Sequence, residues 1–431
     1  MNDSPLAPTL RTVTLGCKVN QYETQYVREG LSRLGYRDAA DGEAADLCVV
    51  NTCTVTAEGD AKSRQTIRQL ATRNPGTRIV VMGCYATRAP GEVAALPGVA
   101  EVVTDKRELP DLLGRFGVVD VPTGISRFDG RKRAYVKVQD GCLLACSFCI
   151  IPLVRPVLTS RPPQHILDEV TRLLDHGHRE IVLTGIHLGH YGVDLNRHRP
   201  KASWVRLSHL LERIARLEGE FRVRLSSIEA TEVTRELVAV MAEHPKRVCP
   251  HLHVSMQSGS ESVLRRMRRR WGSRRFVDRC ELVKRSLEQP ALSTDVIVGF
   301  PGESDAEFQE TLRVCEEVGF SKIHVFRFSP RHGTPAAEMA GQVPEPVKIQ
   351  RAAEMAATEQ RLAERYYRGL IGRELQVLVE SPLSDRPGWA YGTSCRYAPV
   401  ELHAEASDYG KFAIVRAMGV SRGRIQAHDG L

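Results

Sequence analysis

The sequence lacks a long apolar run: no stretch approaches the ~18 residues that a membrane-spanning helix needs. Residues 1–30 contain no basic segment followed by an apolar one, so no secretory leader is predicted. The chain has 11 cysteines, and an odd number argues against a framework of disulfides. These absences predict a cytoplasmic protein without a membrane partner, in which clustered thiols bind metal or take part in chemistry.

Length and charge set broad limits on the fold and the partner. The chain has 431 residues, which is too long for one ordinary core, so roughly two to four domains are expected. The formal net charge is +8, with 60 lysines and arginines, and this charge suits a polyanionic partner. Many proteins that bind no nucleic acid are equally basic, so the charge alone does not identify the partner.

The N-terminal third repeats a short apolar run that is followed by a cysteine. The runs RTVTLG, DLCVVNT and RIVVMG precede Cys17, Cys53 and Cys84, which are 36 and 31 residues apart. Each run is typical of a buried strand with a helix after it, so the spacing predicts βαβ units with parallel strands. If the strands are neighbours, the cysteines meet at the carboxyl edge of the sheet, where open α/β folds bind ligands. We favour a shared metal site over three small buried hydrophobic residues. Asn20 is expected to cap the first helix, with Glu23 three residues further on.

A second cysteine group lies in VQDGCLLACSFCIIP, residues 138–152, after another predicted strand. Cys142, Cys146 and Cys149 offer three thiolates, whereas a zinc site usually has four ligands. A cubane iron–sulfur cluster is held by closely spaced thiolates, and three of them leave one iron open. The C-x3-C-x2-C spacing, with Phe148 before the last cysteine, resembles the motif of the radical S-adenosylmethionine superfamily. A loop of structural thiols is the alternative. In that superfamily the open iron binds the methionine part of S-adenosylmethionine, and an electron from the cluster cleaves it to a 5′-deoxyadenosyl radical.

The middle of the chain alternates strand-like and helical segments. Residues 117–132 lose apolar periodicity and gain Gly, Pro and charge, so they are predicted to form a linker. After it, six such repeats over about 200 residues indicate a partial parallel barrel, since eight repeats would close it. Polar residues follow the strands on the face where such barrels carry their chemistry, although a serine or threonine there is often a helix cap. These strand-end residues are Thr184, Ser227, Glu229, Gln257, Ser258 and Asp295.

Over nearly its whole length the chain resembles the methylthiotransferases of that superfamily. The motifs that carry the resemblance are TLGCKVNQYET, VVNTCTVT, VMGCYA, VQDGCLLACSFCIIP, VLTGIHLGHYG, RLSSIEATEV, CPHLHVSMQSGSESVLRRM, STDVIVGFPGESDAEFQET and HVFRFSPRHGTPAAEM. GCKVNQYE and VNTCTVT are most similar to the branch that modifies N6-threonylcarbamoyladenosine beside the tRNA anticodon. The resemblance implies insertion of a methylthio group at C2 of that nucleoside.

The resemblance also implies cofactors, ligands and partners. One S-adenosylmethionine would methylate sulfur at an auxiliary 4Fe–4S cluster, and a second would supply the radical at another 4Fe–4S cluster. The implied ligands are Cys142, Cys146 and Cys149 for the radical-forming cluster and Cys17, Cys53 and Cys84 for the auxiliary cluster. The residues expected to bind the cofactor are Phe148, Gly185, Ser227, Glu229, Gln257 and Asp295. The expected partners are a tRNA and an electron donor that the sequence does not identify.

The segment IPLVRPVLTSRPP departs from the family, which usually has IPYARG with RSR close behind. Leu153 replaces the tyrosine, Pro156 the glycine and Thr159 a further arginine. Proline fixes φ and removes a donor, so the backbone and the substrate contacts beside the cluster are expected to differ. Arg155 and Arg161 remain, either as contacts to phosphate or S-adenosylmethionine or as solvated arginines.

Two further regions indicate RNA. Residues 265–275, RRMRRRWGSRR, contain seven arginines around a tryptophan. Arg268, Arg269, Arg270 and Trp271 could neutralise phosphates and stack on a base, or the arginines could form a solvated helix face. After residue 370, short alternating runs predict a small antiparallel barrel that resembles the TRAM domain, an RNA-binding module of this family.

The predicted fold class is α/β, in three domains. Residues 8–122 would form the parallel-sheet domain with the auxiliary cluster, residues 128–365 a partial, TIM-like (β/α)6 barrel, and residues 370–431 the TRAM-like domain. Two alternatives to the tRNA enzyme stay open. One is a methylthiotransferase of the same family that acts on a ribosomal protein, and the other is a nonenzymatic RNA-binding protein that holds an iron–sulfur cluster or zinc.

Overall fold

The computed structural model describes residues 7–429, which divide into two compact units. The first contains residues 7–129, 140–158 and 329–337, and the second contains residues 130–139, 159–328 and 338–429. Within residues 7–429, no helix combines the length and the apolar character that a membrane crossing requires. The three-domain division made from the sequence stays a prediction.

The first unit is built on a five-stranded sheet of order β2-β1-β3-β4-β5, in which all neighbours are parallel. Consecutive residues of β3 and β4, such as Val49 and Val50, are fully buried, which is typical of parallel strands covered on both faces. The predicted βαβ organisation is therefore confirmed. The strands are β1 (Thr9–Thr14), β2 (Arg37–Asp38), β3 (Leu47–Thr52), β4 (Arg78–Gly83) and β5 (Val99–Val102). The helices are α1 (Lys18–Ser32), α2 (Ala57–Arg73), α3 (Cys84–Arg88), α4 (Pro90–Ala94), α5 (Leu109–Arg115) and α6 (Ile151–Val154).

The second unit contains the predicted partial barrel. Strands β6, β8 and β9 lie side by side and parallel, as do β10, β11 and β12, and parallel bridges such as Ile228 to Val254 join the two sets. Six parallel strands therefore follow one another in chain order, with the short β7 at the outer edge beside β6. The strands are β6 (Arg133–Asp140), β7 (Thr159–Ser160), β8 (Glu180–Gly185), β9 (Arg222–Leu225), β10 (His251–His253), β11 (Ala291–Val298) and β12 (Lys322–Arg327). The helices are α7 (Pro163–Asp175), α8 (Leu207–Ala215), α9 (Arg235–Glu243), α10 (Glu261–Arg266), α11 (Ser273–Ser286), α12 (Asp305–Val318) and α13 (Glu345–Arg368).

The C-terminal residues of the second unit form a closed barrel of order β13-β14-β15-β17-β16. Its interior is filled by buried aliphatic side chains, among them Val377, Val400 and Ile425. The small barrel predicted after residue 370 is confirmed, with one difference: β15 and β17 pair in parallel, whereas the other neighbours are antiparallel. The strands are β13 (Glu374–Pro382), β14 (Trp389–Ser394), β15 (Pro399–His403), β16 (Phe412–Ser421) and β17 (Arg424–Asp429).

Buried charges join this small barrel to the first residues of β8 and β9. The Glu180 carboxylate pairs with Arg222 at 2.6 Å and with Arg224 at 2.9 Å. Arg222 also donates to the carbonyl oxygens of Gln376 (2.7 Å) and Thr393 (2.8 Å) in the barrel. Because a buried guanidinium without acceptors is costly, these strands and the small barrel depend on each other.

Candidate functional site

Three cysteines follow neighbouring strands of the first unit. Strands β1, β3 and β4 are adjacent, and Cys17, Cys53 and Cys84 follow them directly or within three residues. Burial raises the pKa of the Cys53 thiol, and the thiols of Cys84 and Cys17 raise it further. The structure therefore places the three cysteines at the same carboxyl edge of the sheet, near enough for their thiols to interact electrostatically.

Two glycines allow the chain to pass closely at this edge. Gly16 has a φ of +99°, and a Cβ there would lie 2.9 Å from the Cβ of Cys53. Gly83 has a φ of +101°, and a Cβ there would lie 2.4 Å from the backbone of Thr52. Larger residues at these positions would meet both unfavourable backbone geometry and a steric clash.

The prediction that Asn20 caps helix α1 is wrong. The N-cap residue is Cys17, and Asn20 lies inside the helix. Its side-chain amide donates to the carbonyl oxygens of Leu15 at 2.8 Å and Thr52 at 3.0 Å. These buried carbonyls need donors, and by supplying them Asn20 joins the loop after β1 to the end of β3.

The second cysteine group lies in the loop after β6. Cys142 and Cys146 are buried and Cys149 is partly exposed, as is Phe148. The backbone amide of Cys149 donates to the carbonyl of Cys146, and that of Cys142 donates to the carbonyl of Arg155, each at 3.2 Å. The loop is therefore folded back on itself by its own backbone.

Apolar packing connects the two groups within the first unit. Helix α6, which follows the second group, contacts helix α3, which begins at Cys84. Ile150 and Val154 form a small buried cluster with Cys84. Pro156 follows α6, so it interrupts no hydrogen bond inside that helix.

Arg155 is the charged residue between the two groups. Its guanidinium donates to Cys84 Sγ at 3.5 Å, to the Glu23 carboxylate at 2.7 and 2.8 Å, and to the Asp140 carboxylate at 2.8 and 2.9 Å. Its side chain is 2% exposed, so the solvated alternative is wrong. Burial lowers the pKa of Arg155, but the charges of Asp140 and Glu23 outweigh burial and raise it well above the usual value. Carboxylates of the protein thus occupy the place of the phosphate or cofactor contact that the sequence indicates.

Two buried cations act on the first cysteine group. Cys17 is exposed, yet desolvation by the surrounding groups raises the pKa of its thiol, and Arg155 partly offsets this rise. Burial lowers the pKa of Lys106, whereas the nearby Cys84 thiol favours its charged form. Positive charges of this kind stabilise thiolates, the form in which cysteine binds metal. Sequence reasoning missed Lys106 because it lies outside every quoted motif.

Residues 329–337 support both cysteine loops. Arg331 pairs with Asp60 at 2.5 Å and donates to the Thr54 hydroxyl at 3.0 Å, just after Cys53. The amide of Ala336 donates to the carbonyl of Ser147 at 2.8 Å, inside the second loop. The motif HVFRFSPRHGTPAAEM showed that this segment matters, but not which residues it contacts.

The other predicted cofactor residues lie in the second unit. Gly185 ends β8 and Ser227 is exposed after β9. Gln257 has a φ of 71°, and its backbone N–H donates to the backbone carbonyl oxygen of Asp295 at 2.8 Å. Asp295 lies within β11, and its carboxylate is 3.2 Å from His253 Nε2. Their contact with a cofactor stays a prediction.

Part of the arginine run is engaged with Glu229. Arg269 forms an ion pair with Glu229, and Trp271 Nε1 donates to the same carboxylate at 3.1 Å. Trp271 is 5% exposed and stacks on Phe276 with ring centres 5.2 Å apart. Arg269 and Trp271 thus both contact the Glu229 carboxylate, and the expectation that Trp271 stacks on a base and Arg269 contacts phosphate stays a prediction. The arginines of the run that are exposed are Arg265, Arg268, Arg270, Arg274 and Arg275.

Two family models match the chain. Residues 9–105 match the uncharacterized protein family UPF0004, and residues 136–315 match the radical SAM superfamily.

Several curated proteins are similar over most of their length. The threonylcarbamoyladenosine tRNA methylthiotransferase MtaB of Bacillus subtilis is 40% identical, over 86% of this chain and 85% of that protein. The protein of the same name from Thermotoga maritima is 39% identical, over 86% of each. The tRNA-2-methylthio-N(6)-dimethylallyladenosine synthase of Corynebacterium diphtheriae is 36% identical, over 85% of this chain and 75% of that protein.

Solved structures share the fold at low identity. The radical S-adenosylmethionine methyltransferase TsrM from Kitasatospora setae, solved with cobalamin and a 4Fe-4S cluster bound, has a TM-score of 0.55 at 13% identity and 77% coverage of both chains. The cobalamin-dependent S-adenosylmethionine radical enzyme OxsB has a TM-score of 0.51 at 13% identity, covering 82% of this chain and 56% of that one. These likenesses show the fold alone.

Proposed function

The chain belongs to the methylthiotransferase family of the radical S-adenosylmethionine superfamily, and from this membership we propose that it inserts a methylthio group at C2 of N6-threonylcarbamoyladenosine beside the anticodon of a tRNA. The assignment of the substrate rests on sequence identity to named relatives. Relatives named for threonylcarbamoyladenosine reach 40%, and relatives named for dimethylallyladenosine reach 36%.

The cofactors of this reaction are two 4Fe–4S clusters and S-adenosylmethionine. The donor sets fit, because each cysteine group offers three thiols and a cubane with three protein ligands keeps one iron open. Cys142, Cys146 and Cys149 would hold the cluster that binds S-adenosylmethionine, and Cys17, Cys53 and Cys84 would hold the auxiliary one. When bound, the radical-forming cluster and S-adenosylmethionine would supply the electron and the radical that activate C2–H, and the auxiliary cluster would present the sulfur that is inserted.

The chain's own residues hold the ligands in place. Gly16 and Gly83 let the strand ends approach, and Asn20 fixes the loop after β1. Arg155 offsets part of the rise in the pKa of Cys17 that desolvation by neighbouring groups causes. Arg155 also joins the end of β6 to helix α1 through Asp140 and Glu23. These contacts join the loops of both cysteine groups to the rest of the first unit.

The proposal extends to partners and location. A tRNA is the substrate, a reducing protein or small molecule donates the electrons, and the reaction takes place in the cytoplasm, where tRNA is modified. The net charge of +8 is consistent with a tRNA partner, because tRNA is a polyanion.

The substrate is tested by nucleoside analysis of tRNA from a strain that lacks this chain. We expect 2-methylthio-N6-threonylcarbamoyladenosine to disappear and to return when the intact chain, but not Cys146→Ala, is supplied. Unchanged levels of that nucleoside, together with loss of a methylthio group from a ribosomal protein, would instead establish the ribosomal-protein branch.

The hypothesis that the protein is an enzyme is tested on the purified protein after anaerobic reconstitution with iron and sulfide. We expect about eight irons per chain, as two cubanes require, and formation of 5′-deoxyadenosine when the protein is reduced with S-adenosylmethionine. About one zinc and no 5′-deoxyadenosine would identify a nonenzymatic RNA-binding protein.

A further inference from the structure

A group of metal-ligand side chains lies in the second unit, among residues that the proposed function does not use. His187 and His190 are in the turn after β8, and Glu232 is in the short turn after β9. One ligand atom from each of the three lies within 4.8 Å of the others. The two imidazole rings are stacked, with centres 3.6 Å apart and planes inclined by 17°.

The distances between these atoms suit ligands around an ion. His187 Nε2 is 3.5 Å from Glu232 Oε2, and His190 Nε2 is 3.9 Å from Glu232 Oε1. A hydrogen bond of this kind would be about 2.7–3.2 Å long. Two ligands bound to one tetrahedral zinc ion at about 2.0–2.1 Å are separated by about 3.4 Å. The carboxylate therefore lies close to both imidazoles, and rotation of one of the stacked rings would bring all three groups to ligand distance of a single ion.

The surroundings of the carboxylate also suit a cation. Glu232 Oε2 is buried and accepts no hydrogen bond from the described residues. A desolvated carboxylate oxygen is costly unless a cation or a donor meets it.

The backbone leaves room for this carboxylate at one glycine. A Cβ at Gly189 would lie 2.2 Å from Glu232 Cγ, so any other residue there would displace the carboxylate from the histidines. Gly189 and Glu232 line a cavity of about 510 Å³ that provides access from solvent. The charge of Arg270 acts on His190 and opposes a cation, but Arg270 is exposed, so solvent and salt screen it.

We propose that His187, His190 and Glu232 bind a divalent transition-metal ion, with zinc as the first candidate. Two imidazoles and one carboxylate form a known three-residue zinc set, in which the fourth position stays open. Here water or another oxygen ligand takes that position. The ion fixes the turn after β8 to the turn after β9.

Zinc binding to the holoenzyme tests the site. Four cluster-loaded proteins are dialysed against Zn²⁺ and their zinc and iron contents are measured: the unaltered chain, His190→Ala, Glu232→Gln and His244→Ala. His244 is the matched control, because it belongs to a second group of possible ligands with Glu212 and Glu243. We expect one zinc fewer in His190→Ala and Glu232→Gln than in the other two, at equal iron content. Equal zinc in all four proteins, or a loss confined to His244→Ala, would overturn the proposal.

X-ray absorption at the zinc edge tests the ligands in the unaltered holoenzyme and does not depend on how the variants fold. We expect a shell of nitrogen and oxygen at about 2.0–2.1 Å with imidazole scattering. A sulfur shell at about 2.3 Å would show that cysteines bind the zinc instead, and the site would be rejected.

Discussion

At the residue scale, Arg155 has the largest structural role that the sequence did not reveal. One guanidinium contacts acceptors on α1, on α3 and at the end of β6. Glu23 is 132 residues away in the chain, and no local pattern connects them. A motif shows that an arginine follows the second cysteine group, but its partner depends on the packing of α6 against α3.

Replacing Arg155 tests this role. Arg155→Met leaves Glu23 and Asp140 buried without their cation, and we expect a loss of about 3–5 kcal/mol in the free energy of unfolding, measured by urea denaturation. Arg155→Lys keeps the charge but not the planar array of donors, so its loss should be smaller. Arg216→Met removes an exposed arginine that pairs with Glu212 and should change stability little. Equal stability of Arg155→Met and the unaltered chain would contradict the assignment.

The two cysteine groups are predicted to differ in function. Alanine at Cys142, Cys146 or Cys149 removes a ligand of the radical-forming cluster, so formation of both 5′-deoxyadenosine and the methylthio product should cease. Alanine at Cys17, Cys53 or Cys84 should abolish the product and leave cleavage of S-adenosylmethionine, because the auxiliary cluster does not make the radical. Cys315→Ala is the control, since Cys315 is buried outside both groups, and it should retain both activities. Equal loss of cleavage from both groups would refute this division.

At the scale of elements, the contacts of Glu307 at the start of helix α12 are expected to stabilise the fold in a pH-dependent way. Glu307 completes the capping box with Ser304 and pairs with Arg266. Burial raises the pKa of Glu307, but the contacts with Arg266, Ser262 and the backbone of Ser304 outweigh burial and lower it to about 2. An unfolded glutamate has a pKa of about 4.3, so the unfolded chain binds more protons between these values. The stabilisation is therefore complete above about pH 5 and is lost as pH falls towards 2.

Glu307→Gln should remove this pH dependence. The difference in denaturation midpoint between pH 6 and pH 3.5 should be smaller in Glu307→Gln than in the unaltered chain. Glu317→Gln, at an exposed position of the same helix, should keep the full difference. If Glu307→Gln and Glu317→Gln show the same pH dependence of the denaturation midpoint, Glu307 is not the source of that dependence.

Elements were more predictable than the contacts at their ends. Apolar runs such as DLCVVNT predicted parallel strands correctly because burial on both faces leaves a local signature in the sequence. The cap at Asn20 was wrong because two carbonyls, one of them from β3, bind that side chain. The parallel pairing of β15 and β17 was missed because it depends on how the small barrel closes, which alternation along a strand does not encode.

At the scale of the whole molecule, the second unit limits how RNA binding can be tested. Removing the chain after residue 370 would also remove the carbonyl oxygens that accept from the buried Arg222 and Arg224. The barrel strands β8 and β9 would then carry buried cations with fewer acceptors, so loss of tRNA binding would be confounded by loss of stability. Substitutions of exposed residues separate the two effects.

The exposed arginines of residues 265–275 provide such a test. Arg268 and Arg270 are exposed, whereas the Arg269 side chain is buried against Glu229. The double variant Arg268→Ala, Arg270→Ala therefore leaves the contact between Arg269 and Glu229 in place. If both contact phosphates, tRNA affinity should fall and the slope of log K against log salt should decrease by about two units, since each contact contributes about one.

The matched control removes the same charge elsewhere. Arg216 and Arg368 are exposed and each pairs with a glutamate four residues earlier on its own helix. Replacing both with alanine should leave the salt slope unchanged, because net charge alone does not release counterions from the bound phosphates. Equal slopes for the two double variants would show that residues 265–275 are an ordinary solvated face, and tRNA binding would then have to be sought on the C-terminal barrel.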